Sequence, residues 1–202
     1  FKSCTALIRL SCSNWQMSKV VSAKNMFDCC TKLSLIDVTN WDVSNITDMS
    51  AMFYYCTNIR TLNLSGWNTN KCTNMQWMFC RSWYIDEIIG IKELDVSNVT
   101  NMNSMFFYVG VTNLDLSGWK TGKVTDMRWM FADAWRLQTL NVTGWDTSKV
   151  TDMYTMFGRY EYGSPQLTTV TGMNTWNVSK VTNMYQLFWE CYKLTNLDLS
   201  GW

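Results

Sequence analysis

Histidine is absent from the 202 residues of this chain, and proline occurs only once. Without histidine, the commonest general base and metal ligand is missing, so most zinc sites, catalytic triads and acid–base schemes lose a member. No G-x-S-x-G motif, phosphate-binding loop or C-x-x-C pair offsets that loss. We therefore expect no enzymatic activity, no cofactor and no metal site.

The chain also lacks a charge excess and a long apolar run. Its net charge is +1, with acidic and basic residues mixed along the sequence. We therefore expect no nucleic-acid partner. The longest apolar runs fall far short of the roughly 20 residues that a membrane span needs, and the first ten residues have no signal-peptide pattern. We expect no direct membrane insertion in this segment, and any export signal or anchor to lie outside it.

What the chain does contain is an internal repeat. One constant interval separates Trp15 from Trp41 and Trp41 from Trp67, and the same interval separates Trp119 from Trp145. A phenylalanine follows at a nearly fixed distance after each of these tryptophans. A fixed period of this length is the signature of a solenoid. We predict a single solenoid over residues 1–202, with about seven 26-residue repeats.

The repeat unit is L-x-x-L-x-L-S-G-W-x-T-S-K-V-T-x-M-x-x-M-F-x-x-C. Its leucines alternate, which predicts a short strand with the leucines inward, so that stacked coils form a parallel sheet. The M-x-x-M-F spacing places Met and Phe together on the core side of a short helical turn. The expected fold is a leucine-rich-repeat-like, right-handed coil with short strands on one face and short helical turns or irregular segments on the other.

Departures from this unit are few. Leu94 stands where a Trp is expected, and the segment RYEYGSPQ lengthens one repeat by about five residues. Both ends fall within a repeat, since Phe1 occupies the M-F position and Trp202 ends an S-G-W. Because solenoids need polar caps, we expect a segment of a longer protein, or coils that stack on another molecule.

The unit L-x-L-S-G-W…V-T-x-M-x-x-M-F…C, which spans essentially the whole chain, resembles the 26-residue repeat of BspA-like leucine-rich repeat surface proteins. That resemblance implies an extracellular or cell-surface protein with an adhesive or unestablished role. It does not imply a particular ligand, because one repeat scaffold serves many partners.

Cysteines and glycosylation sequons recur within the unit. Cys4, Cys30, Cys56 and Cys191 share one column with small residues, which favours buried free thiols over disulfides. Five asparagines begin N-x-S/T sequons and are glycosylation candidates in a eukaryotic host: Asn45, Asn63, Asn98, Asn141 and Asn177.

Variable segments between and after the Met residues hold all nine tyrosines and many of the remaining aromatic residues. Tyr and Trp dominate binding surfaces, because they offer a large contact area for few lost rotamers. We predict an outward aromatic strip that binds a ligand, formed by Trp77, Trp83, Tyr84, Trp129, Trp135, Tyr154, Tyr160, Tyr185, Trp189 and Tyr192. The alternative is that these rings stack on one another to cover the core.

The outward face of the strands carries a second regular array, of Asp, Asn, Ser and Thr. We interpret it as structural ladders, although a periodic ligand such as a glycan could also contact it. Two functions follow from these surfaces. The leading one is a surface recognition or adhesion module for a protein or glycan, and the alternative is a structural subunit of a filament, sheath or matrix.

Overall fold

The computed structural model describes residues 1–161 and 163–202. In that part of the chain each coil contributes one short strand, and all pairings are parallel. The strands are β1 (Arg9–Leu10), β2 (Leu35–Ile36), β3 (Thr61–Asn63), β4 (Glu87–Ile89), β5 (Asn113–Asp115), β6 (Thr139–Asn141) and β7 (Thr169–Thr171). The predicted repeat solenoid with short parallel strands on one face is confirmed.

The strands pair in three separate parallel groups, β1 with β2, β3 with β4, and β5 with β6 and β7. Equivalent residues of successive repeats face each other, as with Leu114 and Leu140, or Leu140 and Val170. A second parallel ladder of single bridges runs down another side, through Ser22, Asp48, Asn74, Asn101, Asp126, Asp152 and Asn183. Each coil from Ser22 to Asn183 is thus joined to its neighbours along the bridge side, and coils within one strand group are also joined along the strand side.

Two ladders of aromatic rings fill the core. The phenylalanines stack without interruption from Phe1 to Phe188, with ring centroids 5.0 to 6.1 Å apart. The tryptophans stack from Trp15 to Trp67 and from Trp119 to Trp202. The buried Leu94 occupies the repeat between these two runs. The inward placement that the period predicts for these residues is confirmed.

The M-x-x-M-F segments adopt consecutive turns, which agrees with the irregular segments expected as one alternative for this face and not with the short helical turns. In the segment from Met49 to Tyr55, Met52 donates its N–H to the Met49 carbonyl, while Ala51 donates to the Gln76 carbonyl of the next coil. Ala51 and Tyr55 have positive φ, which an α-helix excludes. The one helical element in the described residues is the short 3-10 helix Met173–Thr175. The predicted right-handed sense of the coil stays a prediction.

Candidate functional site

The turns on the Met side bury the methionines and, in some coils, expose an aromatic ring between them. In the coil of Trp77, Met75 and Met78 are completely buried, while the Trp77 ring is 44% exposed. Trp77 has a φ of 59°, and its N–H donates to the Asn103 carbonyl of the next coil at 3.0 Å. A left-handed residue other than glycine costs about 1 kcal/mol or more, so these repeated hydrogen bonds between coils are what sustain the conformation.

The Asx position before each Met fixes the start of this turn. Asn74 Oδ1 accepts the N–H of Gln76 at 3.1 Å, and Asp126 Oδ1 accepts the N–H of Arg128 at 3.0 Å. Asp and Asn side chains favour turns because they hydrogen-bond the backbone two residues ahead. The T-[D/N]-M part of the repeat therefore directs the next residues, Trp77 and Trp129, to the same edge of the solenoid.

A groove of about 570 Å³ lies along this edge. Five aromatic rings line it, those of Tyr54, Trp77, Phe107, Trp129 and Tyr160. Phe107 packs with Cys80 and Ala132 in a small buried cluster of its own, separate from the main core. We call this feature the aromatic groove. Its volume falls within the range of roughly 300–1,000 Å³ that is usual for ligand sites.

The inserted segment from Arg159 to Gln166 contributes one side of the groove. The buried Asp133 carboxylate accepts the N–H of Tyr160 at 2.8 Å and the N–H of Glu161 at 2.7 Å. These bonds place the Tyr160 ring edge-on to Phe107 and Trp129, at centroid distances of 6.2 and 5.6 Å. The insertion therefore folds back against the preceding coils.

A close backbone approach completes this docking. A Cβ on Gly163 would lie 2.7 Å from the Asp133 carbonyl oxygen, so only glycine fits there without a shift. Glu161 reaches two further coils and forms an ion pair with Arg81, whose guanidinium also lies over the Phe107 ring at 5.6 Å. Tyr162, one of the nine tyrosines of the variable segments, lies outside the described residues.

The charges in the groove nearly cancel. Arg81 pairs with Glu161, and Lys2 pairs with Asp28 at 2.9 Å. Lys24 is the fifth charged residue that lines the groove, so three cations stand against two carboxylates. Burial raises the pKa of the Tyr54 phenol, which keeps that side chain neutral at physiological pH. The groove is therefore mainly apolar and aromatic. Its two ion pairs and one further lysine produce no strong electrostatic field.

The predicted aromatic residues divide among several places. Trp77, Trp129 and Tyr160 line the groove. Tyr154 makes an edge contact with Trp129 at 5.2 Å and stacks on Tyr185 at 5.6 Å, which extends the strip along the rod. Tyr185 is 61% exposed and Trp77 is 44% exposed, so the outward direction expected for these two residues is confirmed, whereas Trp129 is half-buried.

The other predicted residues lie away from the groove. Trp135 lines a second hollow of about 540 Å³ on the far side of Gly163. Trp83 packs edge-on against Tyr84 and Tyr108. Trp189 and Tyr192 are exposed. The structure brings three of the ten predicted residues into the groove and connects two more to it.

Sequence reasoning missed several groove residues. Phe107 and Arg81 belong to the variable segments, but nothing in the repeat distinguishes them from neighbours that point elsewhere. Asp28 and Glu161 come from coils five repeats apart, and only the fold shows that both line one groove. The visible signal was the insertion itself, since it is the one place where the chain leaves the 26-residue period by several residues.

The sequon asparagines all have structural partners. Asn63, Asn141 and Asn177 accept the N–H of the Ser or Thr two residues ahead, at 3.0 to 3.1 Å. Asn45 and Asn98 donate their amides to the carbonyls of Ser18 and Asn70 in the preceding coil. Three of the five sequon asparagines therefore form Asx turns, in which the Asn side chain bonds the backbone two residues ahead, and the other two bond the preceding coil.

The polar strand face has the same explanation. Asp37 accepts hydrogen bonds from both the N–H and the hydroxyl of Thr39, and Asp115 accepts one from the N–H of Ser117. These residues therefore form turns that end each strand, which agrees with the structural interpretation. The neighbouring Thr column also bonds between coils, as where the Thr73 hydroxyl donates to the Thr47 carbonyl at 3.1 Å.

All eight cysteines are free thiols. In the shared column, the thiols of Cys30, Cys56 and Cys191 and the hydroxyl of Ser82 each donate to a phenylalanine carbonyl of the preceding coil. Burial raises the pKa of Cys72 to about 11 and that of Cys191 to about 12. These thiols are therefore protonated and unreactive at neutral pH, as expected for buried structural cysteines.

The described residues contain neither a metal-binding cluster nor a membrane-spanning helix. No group of three or more Cys, Asp or Glu side chains there has the arrangement of a metal site. In the same residues, no helix has both the length and the apolar character needed to cross a membrane.

Comparison with known proteins identifies one family. No curated protein and no solved structure matches the chain. A profile of the family described as "Mycoplasma protein of unknown function, DUF285" matches residues 1–87 and again residues 85–202. The two matches cover the whole chain, in agreement with a surface-associated repeat protein. The chain therefore belongs to this family, the Mycoplasma proteins of unknown function, DUF285.

Proposed function

We propose that this chain is an extracellular recognition module that binds a protein or glycan partner through the aromatic groove. The observation that carries the proposal is the insertion from Arg159 to Gln166, which leaves the repeat in order to place Tyr160 against Trp129 and Phe107. A packing role alone does not need such a segment, because the other coils close without one. Concave sites lined by Tyr and Trp with a few polar groups are the usual form of a binding site.

Two further features support an exposed, adhesive role. The family is of surface-repeat type, and the repeat unit resembles that of BspA-like surface proteins. The rings of Trp77 and Tyr160 are 44% and 47% exposed, although burying them would stabilise the chain. Exposed apolar rings that rim a groove are typical of interaction sites.

The proposal is tested by replacing rings in the groove and equivalent rings outside it. The groove variant is Trp77→Ala with Tyr160→Ala, and the control is Trp189→Ala with Tyr192→Ala. Trp77 and Trp189 are equally exposed, and Ala51 already occupies the column of Trp77 with the same positive φ. Binding is measured by surface plasmon resonance against immobilised extracellular glycoproteins and against the chain itself.

We expect the groove variant to lose binding by about 100-fold, because two aromatic anchors of roughly 1–2 kcal/mol each are removed. The control variant should bind like the wild type, and both should unfold at nearly the same temperature as the wild type. Binding by the groove variant that is as strong as binding by the wild type would contradict the proposal. Strong binding to immobilised copies of the chain, unchanged by the groove variant, would instead favour the filament alternative.

A further inference from the structure

Three buried polar atoms that belong to groove residues have no hydrogen-bond partner. Among the residues that the structure describes, six buried side-chain atoms are unpartnered, and three of them are Asp28 Oδ1, Ser50 Oγ and Trp129 Nε1. Asp28 is 6% exposed and Ser50 is 4% exposed, and all three residues line the groove. Buried polar groups in folded proteins are almost always satisfied, by water or by a ligand where the protein offers nothing.

The three atoms offer complementary hydrogen-bonding capacity. The Asp28 carboxylate accepts, the Trp129 indole N–H donates, and the Ser50 hydroxyl does either. A ligand that satisfies all three must present donors and acceptors along an extended body, because four coil steps separate Asp28 from Trp129, and that body must also pack against aromatic rings. Sugar hydroxyls each donate and accept, and the C–H faces of a pyranose ring are apolar.

The backbone along the groove is already paired, which disfavours an added peptide strand. The N–H groups of Ala51, Trp77, Ser104 and Trp129 donate to carbonyls of the next coil at 2.8 to 3.0 Å. A peptide that extends a sheet needs a free backbone edge. In this segment what remains for a ligand is the side chains, namely ring faces, a carboxylate, a hydroxyl and an indole N–H.

The charges disfavour a cationic ligand. Lys2 already binds Asp28 through Oδ2, and Lys24 adds a further positive charge at the groove. An aromatic cage for a quaternary ammonium ion would instead need acidic residues whose negative charge is not already neutralised by neighbouring lysines or arginines. The near balance of charge suits a neutral, polyhydroxylated ligand.

We propose that the aromatic groove binds a carbohydrate, as a short oligosaccharide or the terminal residues of a glycan. The inference rests on the proposed function and names its ligand class. The pyranose faces pack on the rings of Trp77 and Tyr160, and the hydroxyls bond Asp28, Ser50 and Trp129. Because these three atoms are shielded from solvent, the side chains that cover them must rotate aside when the ligand binds. Exposed side chains make such rotations within nanoseconds.

The test uses variants that remove one hydrogen-bonding group each. Asp28→Ala, Ser50→Ala and Trp129→Phe are compared with the wild type on a printed array of neutral and acidic oligosaccharides. Thr155→Ala and Trp135→Phe are matched controls, because each also removes an unpartnered buried hydroxyl or indole N–H but neither residue lines the groove. Thermal unfolding is recorded for every variant.

We expect the wild type to bind neutral oligosaccharides and each groove variant to bind about tenfold more weakly, as one hydrogen bond is lost. The controls should bind as the wild type does. Ser50→Ala should unfold no earlier than the wild type, since its hydroxyl has no partner to lose. The carbohydrate inference is overturned if the wild type binds no oligosaccharide on the array. It is also overturned if the three groove variants bind as strongly as the wild type.

Enzymatic deglycosylation of the immobilised glycoproteins separates this inference from the proposed function. Loss of binding after deglycosylation supports the carbohydrate. Binding that survives deglycosylation and still requires Trp77 and Tyr160 overturns the carbohydrate and leaves a protein-binding groove. Binding that survives both deglycosylation and the groove variant overturns both proposals.

Discussion

The tryptophans of the S-G-W ladder show how one residue type serves the fold in two ways. Trp145 stacks between Trp119 and Trp176, and its indole N–H donates to the Leu116 carbonyl at 2.9 Å. Trp41, Trp67, Trp119 and Trp202 make the same bond to the preceding coil. Trp176 stacks equally well, but its Nε1 has no partner among the described residues.

Because of this difference, we expect replacement of Trp by Phe to lower the free energy of unfolding by different amounts at the two positions. Both Trp145→Phe and Trp176→Phe remove similar buried volume, but only the first also loses a hydrogen bond. We expect Trp145→Phe to lower the free energy of unfolding by about 1–2 kcal/mol more than Trp176→Phe. Urea unfolding of the two variants measures the difference. Equal costs would mean that the indole hydrogen bonds do not stabilise the stack.

The aspartates of the Asx turns make stability depend on pH. The side chain of Lys92, together with the Ser117 N–H and hydroxyl, lowers the pKa of Asp115 to about 2. Hydrogen bonds from Ser or Thr two residues ahead also lower the pKa of Asp37, Asp42, Asp95, Asp146 and Asp198. Because an unfolded aspartate titrates near 3.9, the unfolded chain binds more protons at low pH.

The stabilisation from these turns is therefore complete above about pH 4 and is lost as the pH falls toward 2. We expect the thermal midpoint to fall over that interval. Asp115→Asn should show a smaller fall, since Asn63 and Asn141 make the same turn without titrating. Calorimetry between pH 5 and pH 2 tests this. If the thermal midpoint of the variant falls as steeply with pH as that of the wild type, Asp115 does not contribute.

At the scale of elements, the inserted segment is the part that the repeat does not explain. It is anchored by Asp133, whose carboxylate accepts two backbone N–H bonds from Tyr160 and Glu161. Hydrogen bonds to a charged group are worth roughly 1.5–3 kcal/mol each. The position of the groove wall therefore depends on one buried carboxylate in the preceding coil.

We expect Asp133→Ala to release this segment while the stacked core stays folded. Amide hydrogen exchange at Tyr160 and Glu161 should accelerate by at least about 100-fold, because two such bonds are lost. Asp133→Asn, which keeps one acceptor oxygen, should give an intermediate effect. Exchange that stays slow throughout residues 159–166 in Asp133→Ala would show that other contacts hold the segment.

At the scale of the whole molecule, successive coils repeat the same contacts. The Phe ladder runs through every coil, and a ladder of backbone bridges joins successive coils on another side. In a solenoid, each repeat interacts only with its neighbours, so a complete repeat is exchangeable. Removal of one full repeat length should therefore preserve the register, whereas removal of half that length should not.

Deletion of residues 120–145 joins Trp119 to Asp146, in the position that Trp145 occupied. We expect this shortened chain to unfold cooperatively, with a denaturant slope lower by about an eighth, in proportion to its length. It should lose groove binding, because Trp129 and Asp133 are removed. Deletion of residues 120–132 is the control, and cooperative unfolding of that chain would contradict a strict coil register.

The sequence by itself determined the period, the core and the strand face. Trp, Phe, Met and Leu recur at the same positions of each repeat, and each recurrence meets the same neighbours, so burial follows from spacing alone. The direction of Trp77 and Tyr185 followed from the same pattern. The turn conformation was not predicted, because M-x-x-M spacing suits a helix as well as consecutive turns, and only the bonds between coils decide between them.

The tertiary structure alone decided the groove. Arg81 and Glu161 belong to coils that are far apart in the sequence, and the path of the inserted segment depends on hydrogen bonds to Asp133 in another coil. No local propensity encodes such contacts, since they depend on which coils the solenoid stacks side by side. A repeat sequence thus specifies its scaffold coil by coil, while its binding site arises where one coil departs from the repeat and packs against its neighbours.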